Sequence, residues 1–287
     1  MKKYLLLTIL FLVISPITTV FGNVTGGEEL TPLARAHAHN DYEHDRPLLD
    51  ALDHGFTSVE ADVWLVDGKL LVAHDFEDIN PDRTLESLYL EPLRNHVKAN
   101  GGTVQPGYEH DFILWIDIKS DGEATYRAIH EQLRKYQNIL TRFLPSGVKP
   151  GSVSVYISGN RPRDYMENQV VRYAAYDGRM SDLGQGDSHE FIPVISDNWT
   201  KHFTWKGEGE MPLDEREKLD YIVSTAHANG QEIRFWATPD SDTPAREALW
   251  KVLLEAGVDL LNSDDLAGLQ KFLLENDSNP SVPVTPW

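Results

Sequence analysis

Short apolar runs alternate with amphipathic stretches along nearly the whole chain. Runs rich in β-branched and aromatic residues fall at 34–40, 57–65, 112–119, 152–159, 170–177, 191–199, 232–239 and 259–265, and they predict eight strands. A further short run at 69–74 follows Asp67-Gly68, a hairpin signal, and so should pair with 57–65. Helical spacing occupies the gaps. Leu85, Leu88, Leu93 and Val97 mark 84–99, stopped by Asn100-Gly101, and Tyr126, Ile129, Leu133 and Tyr136 mark 123–140. A third helix is expected over 213–229, before Gly230. A fourth, over 244–256, opens on a proline and closes at Gly257. Strands and helices in strict alternation predict an α/β fold, a (β/α)8 TIM barrel. The connection after the fourth strand, 162–168, is short, which predicts a degenerate outer helix there.

The ends of the chain differ from this pattern. Lys2 and Lys3 precede an uncharged run from Tyr4 to Phe21, with Val20 and Gly22 placed for a cut before Asn23. That is the pattern of a secretory signal peptide over 1–22. A membrane anchor is the competing reading, but the run is short for a span and is interrupted by Pro16. The expected product is exported, periplasmic or extracellular, with no stable membrane span. One barrel domain is expected over 23–275, and the tail 276–287, with three prolines, should be irregular.

Charge and composition narrow the chemistry. The whole chain carries 26 basic and 45 acidic side chains, a net of −19, which disfavours nucleic-acid binding. It contains no cysteine, which excludes disulfides and cysteine-bound zinc. Nothing in the sequence sets an oligomeric state.

In a barrel of this kind chemistry sits at the C-terminal ends of the strands. The polar residues collect there: His39-Asn40, Glu60-Asp62, His74, Asp117-Lys119, Ser158-Asn160, Asp177, Trp236 and Asn262-Ser263. Glu60 and Asp62 stand two apart and so share one face of a strand. Oxygen-only ligands of this type suit Mg2+ or Ca2+, and paired imidazoles suit acid–base work. Each motif alone also has an ordinary reading, as a cap, an ion pair or a loop histidine. Their common placement at successive strand ends favours a site. The remaining histidines, at 44, 54, 96, 110, 130, 189, 202 and 227, are expected at the surface.

The order H-N, E-x-D, H-D, D-x-K resembles the PLC-like phosphodiesterase barrels, which include glycerophosphodiester phosphodiesterases and phosphatidylinositol-specific phospholipases C. The run HAHNDYEHDRPLLDALDHGFTSVEADVWLVDGKLLVAH, then RTLESLYLEPL, is similar to the branch that contains altered inheritance of mitochondria protein 6. The resemblance implies catalytic roles for His39 and His74. It implies one divalent cation, Mg2+ or Ca2+, on Glu60, Asp62 and Asp117 with Asn40. It implies phosphate or pocket contacts from Lys119, Trp236 and Asn262. His37 shares a face with His39 and is expected to line the pocket or orient its neighbours. The substrate implied is a small-molecule or lipid phosphodiester. The chain departs from the glycerophosphodiesterase pattern H-R-G, having H-N-D, so that one phosphate-gripping arginine is missing at the first strand. Two other readings compete: an amidohydrolase-type metal barrel begun by His37-x-His39, and a non-catalytic binding protein on the same barrel.

Overall fold

The computed structural model describes residues 30–285, so the expected signal peptide and the last two tail residues lie outside the described residues. Eight parallel strands form the centre: β1 (Leu33–Ala38), β2 (Phe56–Val66), β3 (Phe112–Ile118), β4 (Val153–Gly159), β5 (Ala175–Gly178), β6 (Val194–Asn198), β7 (Glu232–Trp236) and β8 (Leu261–Ser263). They pair in the order β7-β6-β5-β4-β3-β2-β1-β8. A parallel bridge from Arg234 to Leu260 joins β7 to the segment entering β8 and closes the ring. The arm Lys69–Val72 pairs antiparallel with β2. Asp67 and Gly68 both take positive φ, as a two-residue hairpin requires.

Helices cover the outside: α1 (Leu49–Asp53), α2 (Glu91–Ala99), α3 (Gly122–Arg134), α4 (Arg163–Glu167), α5 (Trp199–His202), α6 (Leu213–Ala228), α7 (Pro244–Ala256) and α8 (Leu266–Asn276). The short expected helix after the fourth strand is the five-residue α4. The connection after β5 has no helix at all among the described residues. The expected helix 123–140 ends early, at Arg134, because Leu140 bridges to Val153 and starts a small hairpin, Arg142–Leu144 with Gly147–Lys149. A wide π-type turn, Glu86–Leu90, precedes α2; Pro92 has no N–H to offer the regular ladder there.

The alternation of each strand sorts its side chains. On β3, Phe112, Leu114, Ile116 and Ile118 belong to the core shared with the helices, whereas Ile113 and Trp115 belong to a separate cluster with Tyr156 and Val194 that fills the barrel. Asp117 continues the inward row. The same rule on β2 aligns Ser58, Glu60 and Asp62. Registers then set neighbours: Asp62 opposes Asp117, Asp117 opposes Ser158, and His37 opposes Asn262. Below the barrel, the irregular tail accepts the Ala34 N–H through Pro280 at 2.7 Å. No helix among the described residues is long and apolar enough to cross a membrane.

Candidate active site

The inward rows of β1 to β5 and β7 end in a cavity of ≈ 230 Å³ at the C-terminal face of the barrel. Its floor is Glu60, Asp62, Asp117 and Lys119. His39, Asn40 and His74 stand on one side, with Ser158, Arg179 and Trp236 also on the wall.

The three carboxylates approach closely; one oxygen from each lies within 4.8 Å of the others. Each spends a single oxygen on protein donors. Glu60 Oε2 receives Arg234 Nη2 at 2.6 Å and faces His37 Nε2 at 3.3 Å. Asp62 Oδ2 is surrounded by the Tyr42 hydroxyl at 2.7 Å, His74 Nδ1 at 2.8 Å and Lys119 Nζ at 3.0 Å. Asp117 Oδ1 pairs with Lys119 Nζ at 3.1 Å. The second oxygen of Asp62 is buried with no hydrogen-bond partner. An orphaned buried carboxylate oxygen beside two more carboxylates fits a hard divalent cation with oxygen ligands. Asn40 is on the same wall, its Oδ1 2.8 Å from the same Tyr42 hydroxyl. Asn40 sits in the left-handed region at φ 48, which asparagine tolerates better than most residues.

Both wall histidines are oriented through Nδ1 by a carboxylate. His74 uses Asp62, and His39 uses Asp264 Oδ1 at 2.8 Å. In each ring the carboxylate favours a proton on Nδ1, although Asn40 Nδ2 also lies 2.9 Å from His39 Nδ1, and neither Nε2 makes a hydrogen bond among the described residues.

A family model described as an AIM6-like phosphodiesterase domain matches residues 27–177, and one described as the glycerophosphoryl diester phosphodiesterase family matches 232–267. Altered inheritance of mitochondria protein 6 homolog from Arthroderma benhamiae is 32% identical over 276 residues, covering 88% of this chain and 87% of that protein. This chain belongs to the AIM6-like phosphodiesterase family. Altered inheritance of mitochondria protein 6 from Eremothecium gossypii is also 32% identical, over 84% of this chain and 69% of its own length. A crystal structure from Silicibacter pomeroyi, assigned as a glycerophosphoryl diester phosphodiesterase, shares the fold at a TM-score of 0.51 and 13% identity, covering 87% of this chain and 95% of that one.

In this AIM6-like barrel, electrostatics separate the three carboxylates. Burial pushes Glu60 upward, but the Arg234 charge and the His37 bond outweigh it and hold the carboxyl well below its usual range. Burial and the Glu60 charge raise Asp62, and raise Asp117 to about 6. Burial alone would lower the Lys119 ammonium; Asp117 and Asp62 reverse that and raise it. Burial opposes the charged form of His39, and its bond to Asp264 overcomes this, so its pKa is raised.

Two expected pocket residues are placed elsewhere. His37 is fully buried behind Glu60, with Nδ1 2.7 Å from Ser58 Oγ and its ring edge-on to Trp115, so it is not part of the cavity wall. Burial, with the nearby Arg234 charge, lowers its pKa to about 3, so it is a neutral hydrogen-bond donor to Glu60. Asn262 is also buried, and its Oδ1 accepts Arg234 Nε at 2.9 Å and Nη2 at 2.6 Å. It holds Arg234 and does not face the cavity. Of the histidines expected at the surface, those at 110 and 189 are exposed; the other six are half-buried, among them His227 against Asp259 and His202 against Asp197. The metal cluster contains no histidine, which leaves the amidohydrolase reading without its ligands. Tyr42, Arg179, Arg234 and Asp264 are site residues that the strand-end motifs do not reveal.

Proposed function

We propose that this chain is an exported, metal-dependent phosphoric diester hydrolase acting on a phospholipid or glycerophosphodiester-like substrate by histidine acid–base catalysis. One observation carries the reading. Three carboxylates on adjacent strands each keep one oxygen free of protein donors, beside two histidines whose Nε2 atoms are unspent. The matching family models support phosphodiester chemistry through their descriptions.

Glu60, Asp62 and Asp117, with Asn40 beside them, would hold one Mg2+ or Ca2+. Such an ion supplies charge neutralisation for the oxygens of the phosphorus during displacement. The remaining chemistry belongs to the protein. His39 and His74 take a proton from the nucleophile and give one to the leaving oxygen through Nε2. Asp264 and Asp62 fix the tautomers and stabilise each imidazolium as it forms. Lys119 adds a positive donor to the phosphate. Trp236 offers a flat apolar wall to the organic part of the substrate.

The test is turnover of a panel containing glycerophosphodiesters, phosphatidylinositol, lysophospholipids and sphingomyelin, with and without chelator. Chelation should abolish activity, and His39→Ala and His74→Ala should each lower it by about 100-fold or more. Rates unchanged by chelation and by both substitutions would remove this site from the reaction. A folded protein that turns over nothing would support the non-catalytic binding protein.

A further inference from the structure

Two guanidiniums line the cavity, and Arg179 is the more exposed of them. Arg234 is buried, 3% of its side chain exposed, its Nε and Nη2 held by Glu60 and Asn262 beneath the carboxylates and its Nη1 without a hydrogen-bond partner among the described residues. Lys119 is shared between Asp62 and Asp117. Arg179, on the opposite wall just after β5, keeps 23% of its side chain exposed. Its Nη1 binds the Asp177 carboxylate and the Gly178 carbonyl, and its Nη2 lies 3.2 Å from Ser158 Oγ. A guanidinium has five N–H donors. The Nε donor and one on Nη2 have no partner among the described residues.

We propose that Arg179 binds a non-bridging oxygen of the substrate phosphate, as a fixed fork that Asp177 and Ser158 hold in place. This rests on the phosphodiester reading above and adds to it the residue on the far side of the phosphate. Asp177 is completely buried and takes the Ser158 hydroxyl at 2.7 Å, so it is an anchor and cannot itself meet a ligand. The backbone under the arginine is pinned too. A Cβ at Gly178 would come 2.5 Å from Ile192 Cγ2 and 2.9 Å from Ile195 Cδ1. The Arg179 N–H is bound by Asp182 Oδ2 at 2.8 Å. A guanidinium ordered in advance loses little conformational freedom on binding, and its planar edge matches two phosphate oxygens.

The placement fits the cluster. Ser158 lies in register with Asp117, so the fork stands one strand away from the carboxylates. A phosphate above the floor would then meet Lys119 from β3 and Arg179 from β5. A chain with a net charge of −19 also gains most from local cations when its ligand is an anion.

The experiment uses the full chain, titrated with inorganic phosphate by calorimetry, beside steady-state kinetics on whichever diester the wild type turns over. Arg179→Met should weaken phosphate binding and raise KM, each by tenfold or more, with affinity for Mg2+ or Ca2+ unchanged. Arg179→Lys should recover only a small part, because it lacks the fork. Added guanidinium ion should partly restore phosphate binding to Arg179→Ala. If Arg179→Met misfolds with Asp177 left unpaired, the pair Asp177→Asn with Arg179→Met removes both charges and should show the same loss. Unchanged phosphate affinity in a folded variant overturns the proposal, as does a wild type that binds no phosphate. A wild type that hydrolyses no diester but binds phosphate through Arg179 upholds it while removing the enzymatic reading.

Discussion

Arg234 Nη2 lies 2.6 Å from Glu60 Oε2, joining the seventh strand to the second across the barrel interior. Behind this pair the guanidinium lies over the Trp115 ring at 4.5 Å, and Asn262 takes its remaining bonds. A fixed positive charge therefore stands under one carboxylate of the cluster and favours its ionised form.

Removing that charge should be costly. Arg234→Met leaves Glu60 buried without its counter-charge and with only the neutral His37 as a donor, which should destabilise the fold by about 3–5 kcal/mol. Adding Glu60→Gln to the same chain should recover much of the loss. Urea unfolding of the single and double variants measures both, and equal stabilities for the two would contradict the assignment.

His37 makes a signed prediction about acid. Its folded pKa of about 3 lies below the ordinary 6.5, so between those values the unfolded chain binds the extra proton. Stability contributed this way is present above the ordinary value and is lost as pH falls, with a slope of up to about 1.4 kcal/mol per pH unit. His37→Gln should make the acid limb of the stability curve shallower. In NMR titrations the His37 ring signals should stay constant from about pH 5 to 8, where an ordinary imidazole titrates.

Glu232 predicts the opposite slope. It is fully buried at the start of β7, and burial together with Asp259 and Asp111 holds its carboxyl well above the ordinary 4.5. The native state therefore keeps a proton that the unfolded chain has released, and stability falls as pH rises above the ordinary value. Glu232→Gln should remove this fall. The test compares unfolding free energies of the two proteins at mildly acidic and mildly alkaline pH; the advantage of the variant must grow with pH.

Gly159 ends β4 at φ +67, and a Cβ there would lie 2.4 Å from Asp117 Oδ1 and 2.5 Å from the Ile118 carbonyl. Gly159→Ala should cost about 1–3 kcal/mol of backbone strain and push Asp117 out of the cluster. Calorimetric titration with Mg2+ or Ca2+ should show weaker binding than wild type. Unchanged cation affinity would mean that Asp117 is not a ligand.

The barrel and the face of each site residue were legible because strand periodicity is simple. Period two, together with strand ends, brings Glu60, Asp62, Asp117, Lys119, His39, His74 and Trp236 to one cavity. Depth along a strand is not encoded so plainly. His37 and Asn262 share the inward face, yet two residues is about 7 Å, and that places them under the cavity against Glu60 and Arg234. Arg234 stands inside the apolar run EIRFW, and its period-two relation to Trp236 was the available signal. Asp264 follows Asn262-Ser263, but only the pairing of β1 with β8 shows that it, rather than Asp265, meets His39. The return of the Tyr42 hydroxyl to Asp62 depends on the left-handed turn at Asn40, which residue types do not announce. The helix α8 was missed because its run LAGLQKFLLEN directly follows strand residues and precedes the proline-rich tail.

His39 and the carboxylate that orients it are 225 positions apart in the chain. The three clustered carboxylates all come from β2 and β3, early in synthesis, whereas the His39–Asp264 pair is completed only when the last strand docks beside the first. Assembly of the proposed acid–base pair is thereby tied to the final closing event of folding. A chain cut short before residue 264 would lack the carboxylate that orders His39.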